Sequence, residues 1–383
     1  MALSSLLPSQ LRRHPGGRPH HKLDLDGGRD LKLLKGPWSK GFAVALAVAY
    51  FVMPGSLEET TLRTLCYCGL YAIGAIGLNL LTGFTGQVSL GHAAFFGAGA
   101  YCAAYFGDKH GWPFLAYVLA AIVVGLAIGG LVGPFAARLR GNYLAVVTIG
   151  LLFLAYHLFM NWDSVTGGGN GVSVGGADLT LGPLDFRDLE VGGLKYTFVQ
   201  GMFWLIWAFV GLTALIAKNI VRSRPGRAMQ AIRDRDLSAE IIGVQPTRYK
   251  VAAFAVAGAC AAVAGVFYAL MQNHVSPHEF GGQVGLFLSI TFVAMIIMGG
   301  VGTIFGSILG ALLVEYGRRF IAQRGADAPV FGYPVEQGWL TVGELNGVLF
   351  GGLIVFFLVL EPRGLAALWM RIRIWFQSWP FSY

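Results

Sequence analysis

Charged side chains are absent from six long stretches of the chain: 64–107, 110–137, 141–162, 196–217, 251–278 and 280–314. A helix needs roughly 20 apolar residues to cross a bilayer core about 30 Å thick. Each stretch holds at least one such helix, and two are long enough for two. The blocks are continuously apolar rather than alternating, which predicts helices and not the strands of a barrel. The pattern predicts an all-α polytopic membrane protein with about ten transmembrane helices. They fall near 41–55, 64–82, 86–107, 113–137, 142–161, 197–217, 251–272, 283–299, 303–322 and 343–361. The first and eighth are short, so a tilted or re-entrant segment is the alternative there.

Composition sharpens this picture. Of 383 residues, 55% are hydrophobic and 13% charged, against about a quarter charged in ordinary soluble domains. The net charge of +8 is dispersed between apolar blocks, which speaks for membrane topology and against a nucleic-acid-binding face. Residues 1–40 form a basic, Gly- and Pro-rich tail without the apolar core of a signal peptide. Basic loops stay on the cytoplasmic side. That rule puts the 218–250 loop and the short loop with Arg138 and Arg140 inside, and the acidic 163–195 loop outside. With an even number of crossings, the tail 1–40 and the C-terminal tail 366–383 both lie inside, flanking a transmembrane domain over 41–365. Arg318, Arg319 and Arg324 then fall outside, so either 283–322 is re-entrant or these arginines break the bias. Cys66, Cys68, Cys102 and Cys260 all lie in apolar runs and read as packed helix residues.

Candidate chemistry is sparse. Residues 83–97 place Thr85, Gln87, Ser89 and His92 inside an apolar span, with glycines at 83, 86 and 91. Those glycines weaken a continuous helix, and broken helices mark solute paths in transporters. The plainer reading is a short loop between two helices, with Ser89 and His92 in a first turn. No second ligand stands at helical spacing from His92, so no metal site is expected. A second Gly-rich segment, 298–306, reads as a tight turn or a bend in the pathway. The 166–171 run of glycines and asparagine reads as a surface turn or a contact for an extracytoplasmic partner. Neither a P-loop nor a dinucleotide fingerprint occurs, and no catalytic set is visible. Glu315, Glu344 and Glu361 sit near crossing ends and read as snorkelling or capping residues. His92, His157 and His274 are the residues a proton-driven mechanism would have to use. The 218–250 loop breaks at Arg224-Pro225-Gly226-Arg227. Ala228, Met229, Ile232, Leu237, Ile241 and Ile242 then recur at helical spacing, and Gly243 and Pro246 end the stretch. This predicts one amphipathic helix or two short ones, docked on lipid headgroups or, as three acids favour, in a protein groove.

Several of these runs resemble the M-type membrane subunits of branched-chain amino acid ABC importers, the Liv system. They include GLNLLTGFTGQVSLGHAAFFGAGAY (77–101), RLRGNYLAVVTIG (138–150), NWDSVTGGGNGVS (161–173), RSRPGRAMQAIRDRDLSAEIIGVQPTRYKVAAFAVAGACAAVAG (222–265), SPHEF (276–280), MGGVGTIFGSILGA (298–311) and EPRGL (361–365). They come in the family's order over roughly 65–365, and urea permeases share much of the pattern. The resemblance implies a bacterial inner-membrane permease bundle without cofactor. Its implied partners are a sister permease, two cytoplasmic ATPase subunits and an extracytoplasmic substrate-binding protein. It also implies that 224–248 is the coupling helix, carried by Arg227, Ala228, Ile232, Arg233, Asp234, Glu240 and Gly243. The chain departs from the family at 150–153, in the long basic tail and in an insertion over 323–342. A urea or short-chain amide permease is the nearest alternative. A stand-alone transporter or channel comes next, and an intramembrane enzyme last.

Overall fold

The computed structural model describes residues 37–325 apart from Arg140, Pro183, 192 and 193, together with scattered positions between 348 and 359 and residues 364–378. The tail 1–36 and most of the predicted crossing 343–361 lie outside the described residues. The elements are α1 (Pro37–Ser56), α2 (Glu59–Thr85), α3 (His92–Cys102) with a π-helical continuation over Ala103–Lys109, α4 (Phe114–Arg138) and α5 (Asn142–Asn161). There follow a single turn α6 (Asp163–Thr166), α7 (Phe198–Arg222), α8 (Arg224–Asp234), α9 (Asp236–Ile241), α10 (Pro246–Gln272), α11 (Gly282–Gly299), α12 (Ile304–Gly325) and α13 (Leu365–Ser378).

α2 is the axle of the bundle. Its most apolar window is 94% buried, against 22% for α5, and it packs on α7, α10, α11 and α12. Small residues permit the closest approach, as helix association in lipid requires. Gly125, Gly129 and Gly133 form a stripe on α4 that runs antiparallel along α10. At Gly129 a Cβ would stand 2.5 Å from the Phe254 carbonyl oxygen, and at Gly125 2.5 Å from that of Gly258. α11 and α12 form a hairpin in which Gly299 rests on the backbone of Gly306 and Gly310.

The segment between α5 and α7 carries short two-stranded ladders, an exception to an otherwise helical fold. β2 (Thr180–Leu181) pairs with β3 (Leu184–Asp185), and β4 (Glu190–Val191) with β5 (Leu194–Lys195). β1 (Val172–Ser173) pairs with β6 (His274–Val275), fastening this segment to the end of α10.

Six helices among the described residues are long and apolar enough to cross a membrane: those over 59–85, 114–138, 143–161, 198–222, 246–272 and 282–299. Two other expected crossings differ for physical reasons. The one over 86–107 begins as irregular backbone and becomes helical only at His92. The one over 303–322 is a helix of 22 residues, α12, that carries charge in its second half. The 41–55 segment is a short apolar helix within α1.

Glu315 corrects the sequence reading. It is no snorkelling or capping residue, being 1% exposed. Its carboxylate receives Arg318 Nη2 at 3.1 Å and Arg319 Nε at 2.6 Å, and the Arg319 guanidinium lies 3.8 Å over the Tyr67 ring. α11, at 18 residues and 1.5 Å per residue, is about 27 Å long. α12 returns the full distance, so Arg318 and Arg319 lie at the end remote from the 300–303 turn. One acid thus offsets one of the three positive charges of Arg318, Arg319 and Arg324 that depart from the expected bias.

Candidate functional site

The site begins where α2 stops. Gly86 takes φ +73°, a left-handed cap that glycine adopts without the Cβ penalty. Its N–H reaches Thr82 O at 3.1 Å. The Thr85 hydroxyl donates to Leu81 O, and the Thr82 hydroxyl to Gln87 O at 3.0 Å. Beyond the cap the chain stays irregular until α3 starts at His92. Buried irregular backbone must find partners within protein, and here neighbouring hydroxyls provide them. Leu90 N–H donates to Thr148 Oγ1 of α5 at 2.9 Å, and Ala93 N–H to Ser289 Oγ of α11 at 3.1 Å. Gly91 is needed because a Cβ there would meet Thr148 O at 2.4 Å.

Thr85, Gln87, Ser89 and His92 are all buried in this conformation, while Val88 between them is exposed. His92 Nε2 donates to Gly74 O at 3.0 Å, because a carbonyl only accepts. Its ring packs edge-on to Phe292 with centroids 5.0 Å apart. Gln87 differs from its neighbours. Its Nε2 is buried without a hydrogen-bond partner among the described residues, as are Tyr101 OH and Trp207 Nε1. Buried polar groups are normally paired, so an orphaned amide at a helix break is a functional pointer.

The two Gly-rich segments of the sequence meet. Asn79 joins them: its Oδ1 accepts Gly302 N–H at 2.9 Å, and its Nδ2 donates to Thr303 O at 2.8 Å and Ser307 Oγ at 2.7 Å. Gly83 lies so close that a Cβ would stand 2.5 Å from Gly302 N. Arg233 of α8 donates through Nη1 to Gly83 O. It also packs beside Gly86 and Gly302. A groove of about 860 Å³ opens next to this joint, bounded by α7, α8 and the start of α12.

The amphipathic stretch is split in two at Arg235, whose φ of −157° and ψ of 107° end α8. Ala228, Met229 and Ile232 are buried within the chain, where α8 packs on α2, α7 and α10. α9 leaves Leu237, Ile241 and Ile242 at 64%, 86% and 74% exposure. Arg227, Asp234, Glu240 and Gly243 are exposed around them, and Gly243 turns the chain at φ +87°. Asp236 anchors α9 by an ion pair with the buried Lys250 at 2.7 Å.

Asn79, Thr148, Ser289 and Ser307 escaped the sequence reading. Each is a polar residue within an apolar run of its helix, and that setting is the signal that points to them.

A bundle of membrane-length helices, with an irregular link over buried polar groups between α2 and α3 and an exposed amphipathic pair beside it, fits a membrane permease subunit; the link agrees with the expected short loop between two helices as well as with a broken span. The profile of the family described as branched-chain amino acid transport system, permease component, matches residues 60–358, and the chain belongs to that family of ABC importer permeases. It is 30% identical to the high-affinity branched-chain amino acid transport system permease protein LivM of Escherichia coli K12, over 85% of this chain and 74% of that protein. The Salmonella typhimurium LivM is likewise 30% identical, over 84% and 72%. BraD of Pseudomonas aeruginosa, a permease protein of the same description, is 26% identical over 77% of this chain and 91% of its own. No solved structure matches the chain.

Proposed function

We propose that this permease subunit passes branched-chain amino acids across the bacterial inner membrane, paired with a sister permease and driven by two separate cytoplasmic ATPase subunits. α8, α9 and both termini then face the cytoplasm. The segment between α5 and α7 faces the binding protein that delivers the solute. α3 with its irregular lead, α12 and the segments over 41–55 and 343–361 bring the crossings to about ten.

The observation that carries this reading is Arg233. It lies on the element expected to meet the ATPase and bonds to the carbonyl at the end of the broken span. The apolar patch of Leu237, Ile241 and Ile242 suits a protein groove, because a helix face with so little basic charge gains little from lipid headgroups. When the ATPases close, α9 is displaced, α8 follows, and Gly83 shifts against Gly302. The break then opens Gln87, whose amide donor is unclaimed, to the solute. Thr85, Ser89 and His92 hold the backbone that presents it.

The test is uptake of labelled leucine, isoleucine and valine into proteoliposomes holding the complete importer, with the binding protein outside and ATP inside. Uptake that requires all subunits and hydrolysis supports the reading. Flux through this chain alone, or transport of urea in preference to leucine, overturns it.

A further inference from the structure

The transport cycle leaves the groove beside Arg233 unused. Its wall is hydrocarbon, from Ala214 and Leu215 of α7 to Phe305 and Ile308 of α12. Its rim is polar, with Lys218, Arg233 and Asp234 at the α8 end. Leu212, Leu215 and Ile216 are exposed, so the groove opens on the outside of this chain's helices. Lys218 and Asp234 make no hydrogen bond or ion pair with the described residues. Arg233 uses one donor on Gly83 O, which leaves four of its five N–H groups.

We propose that this groove binds one phospholipid bearing a primary ammonium headgroup. Its phosphate lies between Lys218 and Arg233, its ammonium on Asp234, and an acyl chain along α7 and α12.

Three features select this occupant. Lys218 stands one helical turn from the end of α7, and from there to Gly211 the helix offers roughly 10 Å of apolar wall. Basic pockets between helices at the cytoplasmic face suit lipid phosphates. The rim also holds an acid. Free phosphate would leave the wall uncovered, and a purely anionic headgroup would face Asp234. A choline headgroup has no N–H to donate to that carboxylate. Because Arg233 serves both the lipid and Gly83, occupancy of the groove bears on the joint that α8 controls.

The experiment reconstitutes the full-length chain, with its accompanying subunits, in nanodiscs of phosphatidylcholine containing equal small fractions of phosphatidylethanolamine and phosphatidylglycerol. Lipid retained after detergent extraction is read by native mass spectrometry. Wild type should retain phosphatidylethanolamine over both others by about tenfold, the equivalent of ~1.4 kcal/mol. Lys218→Gln should lose that retention, Lys218→Arg should keep it, and Asp234→Asn should erase the preference over phosphatidylglycerol. Equal retention of the three lipids overturns the proposal. So does full retention by Lys218→Gln, or a photocrosslink from position 215 to a protein segment in place of lipid.

Discussion

Arg233 and Gly83 are 150 residues apart in the chain, and the arginine side chain donates to the glycine carbonyl across the gap between α8 and the end of α2. Gly83 is itself pressed against Gly302. One hydrogen bond therefore connects the exposed helix pair to the place where the two Gly-rich turns touch. Charge-assisted bonds of this kind contribute about 1.5–3 kcal/mol, enough to transmit a displacement. Replacing Arg233 by Ala should leave ATP turnover by the assembled importer near normal and cut uptake per ATP by about tenfold. The ratio of the two rates, measured in the same proteoliposomes, checks this. Unchanged coupling would remove Arg233 from the mechanism.

Asn79 should be a stability residue. Asn79→Leu removes three hydrogen bonds and leaves the Gly302 N–H without its acceptor. A buried unsatisfied group costs about 1–3 kcal/mol. A drop of several degrees in the melting temperature of the purified chain is expected, read by intrinsic fluorescence.

Much of this architecture is legible in the sequence, and the reason is the cost of charge in lipid. Six uncharged stretches reveal the principal crossings, and the glycines at 83, 86 and 91 reveal the break. The Asn79–Gly302 contact is invisible because nothing local specifies a partner more than two hundred residues away. Glu315 misleads for a related reason. Its position near a helix end suggests water, whereas Arg318 and Arg319, three and four residues on, fold back over it. Two short helices are one of the two forms expected for the amphipathic stretch; only the position of the division, at Arg235, is hidden, because the apolar spacing continues across it.

Glu315→Ala should destabilise the chain by about 1–3 kcal/mol, since Arg318 and Arg319 lose their shared counter-charge. The partial exposure of both arginines keeps the loss below that of a fully buried pair. Glu315→Ala combined with Arg319→Leu should recover part of it, and thermal unfolding of the three variants measures the coupling.

Gly129→Val should disrupt the α4–α10 seam, because any Cβ there meets the Phe254 carbonyl at 2.5 Å. Gly130→Val is the matched control, with nothing within 4 Å of a Cβ. The first should lower the yield of folded protein several-fold and the second should not. Size-exclusion profiles of the two distinguish them.

Ile241→Asp should detach the ATPases without harming the fold. Ile241 is 86% exposed, and surface changes usually stay within about 0.5 kcal/mol. Co-purification of the ATPase subunits should fall, while the melting temperature of the isolated chain stays the same.

α5 is both lightly held and essential to the break. Little of it is covered by its own chain, yet its Thr148 hydroxyl is the acceptor for Leu90 N–H. A small roll of this helix would therefore strip a buried amide of its acceptor. Water or a polar solute would be the natural replacement, so the seating of one thinly covered helix decides whether the link at 86–91 stays dry.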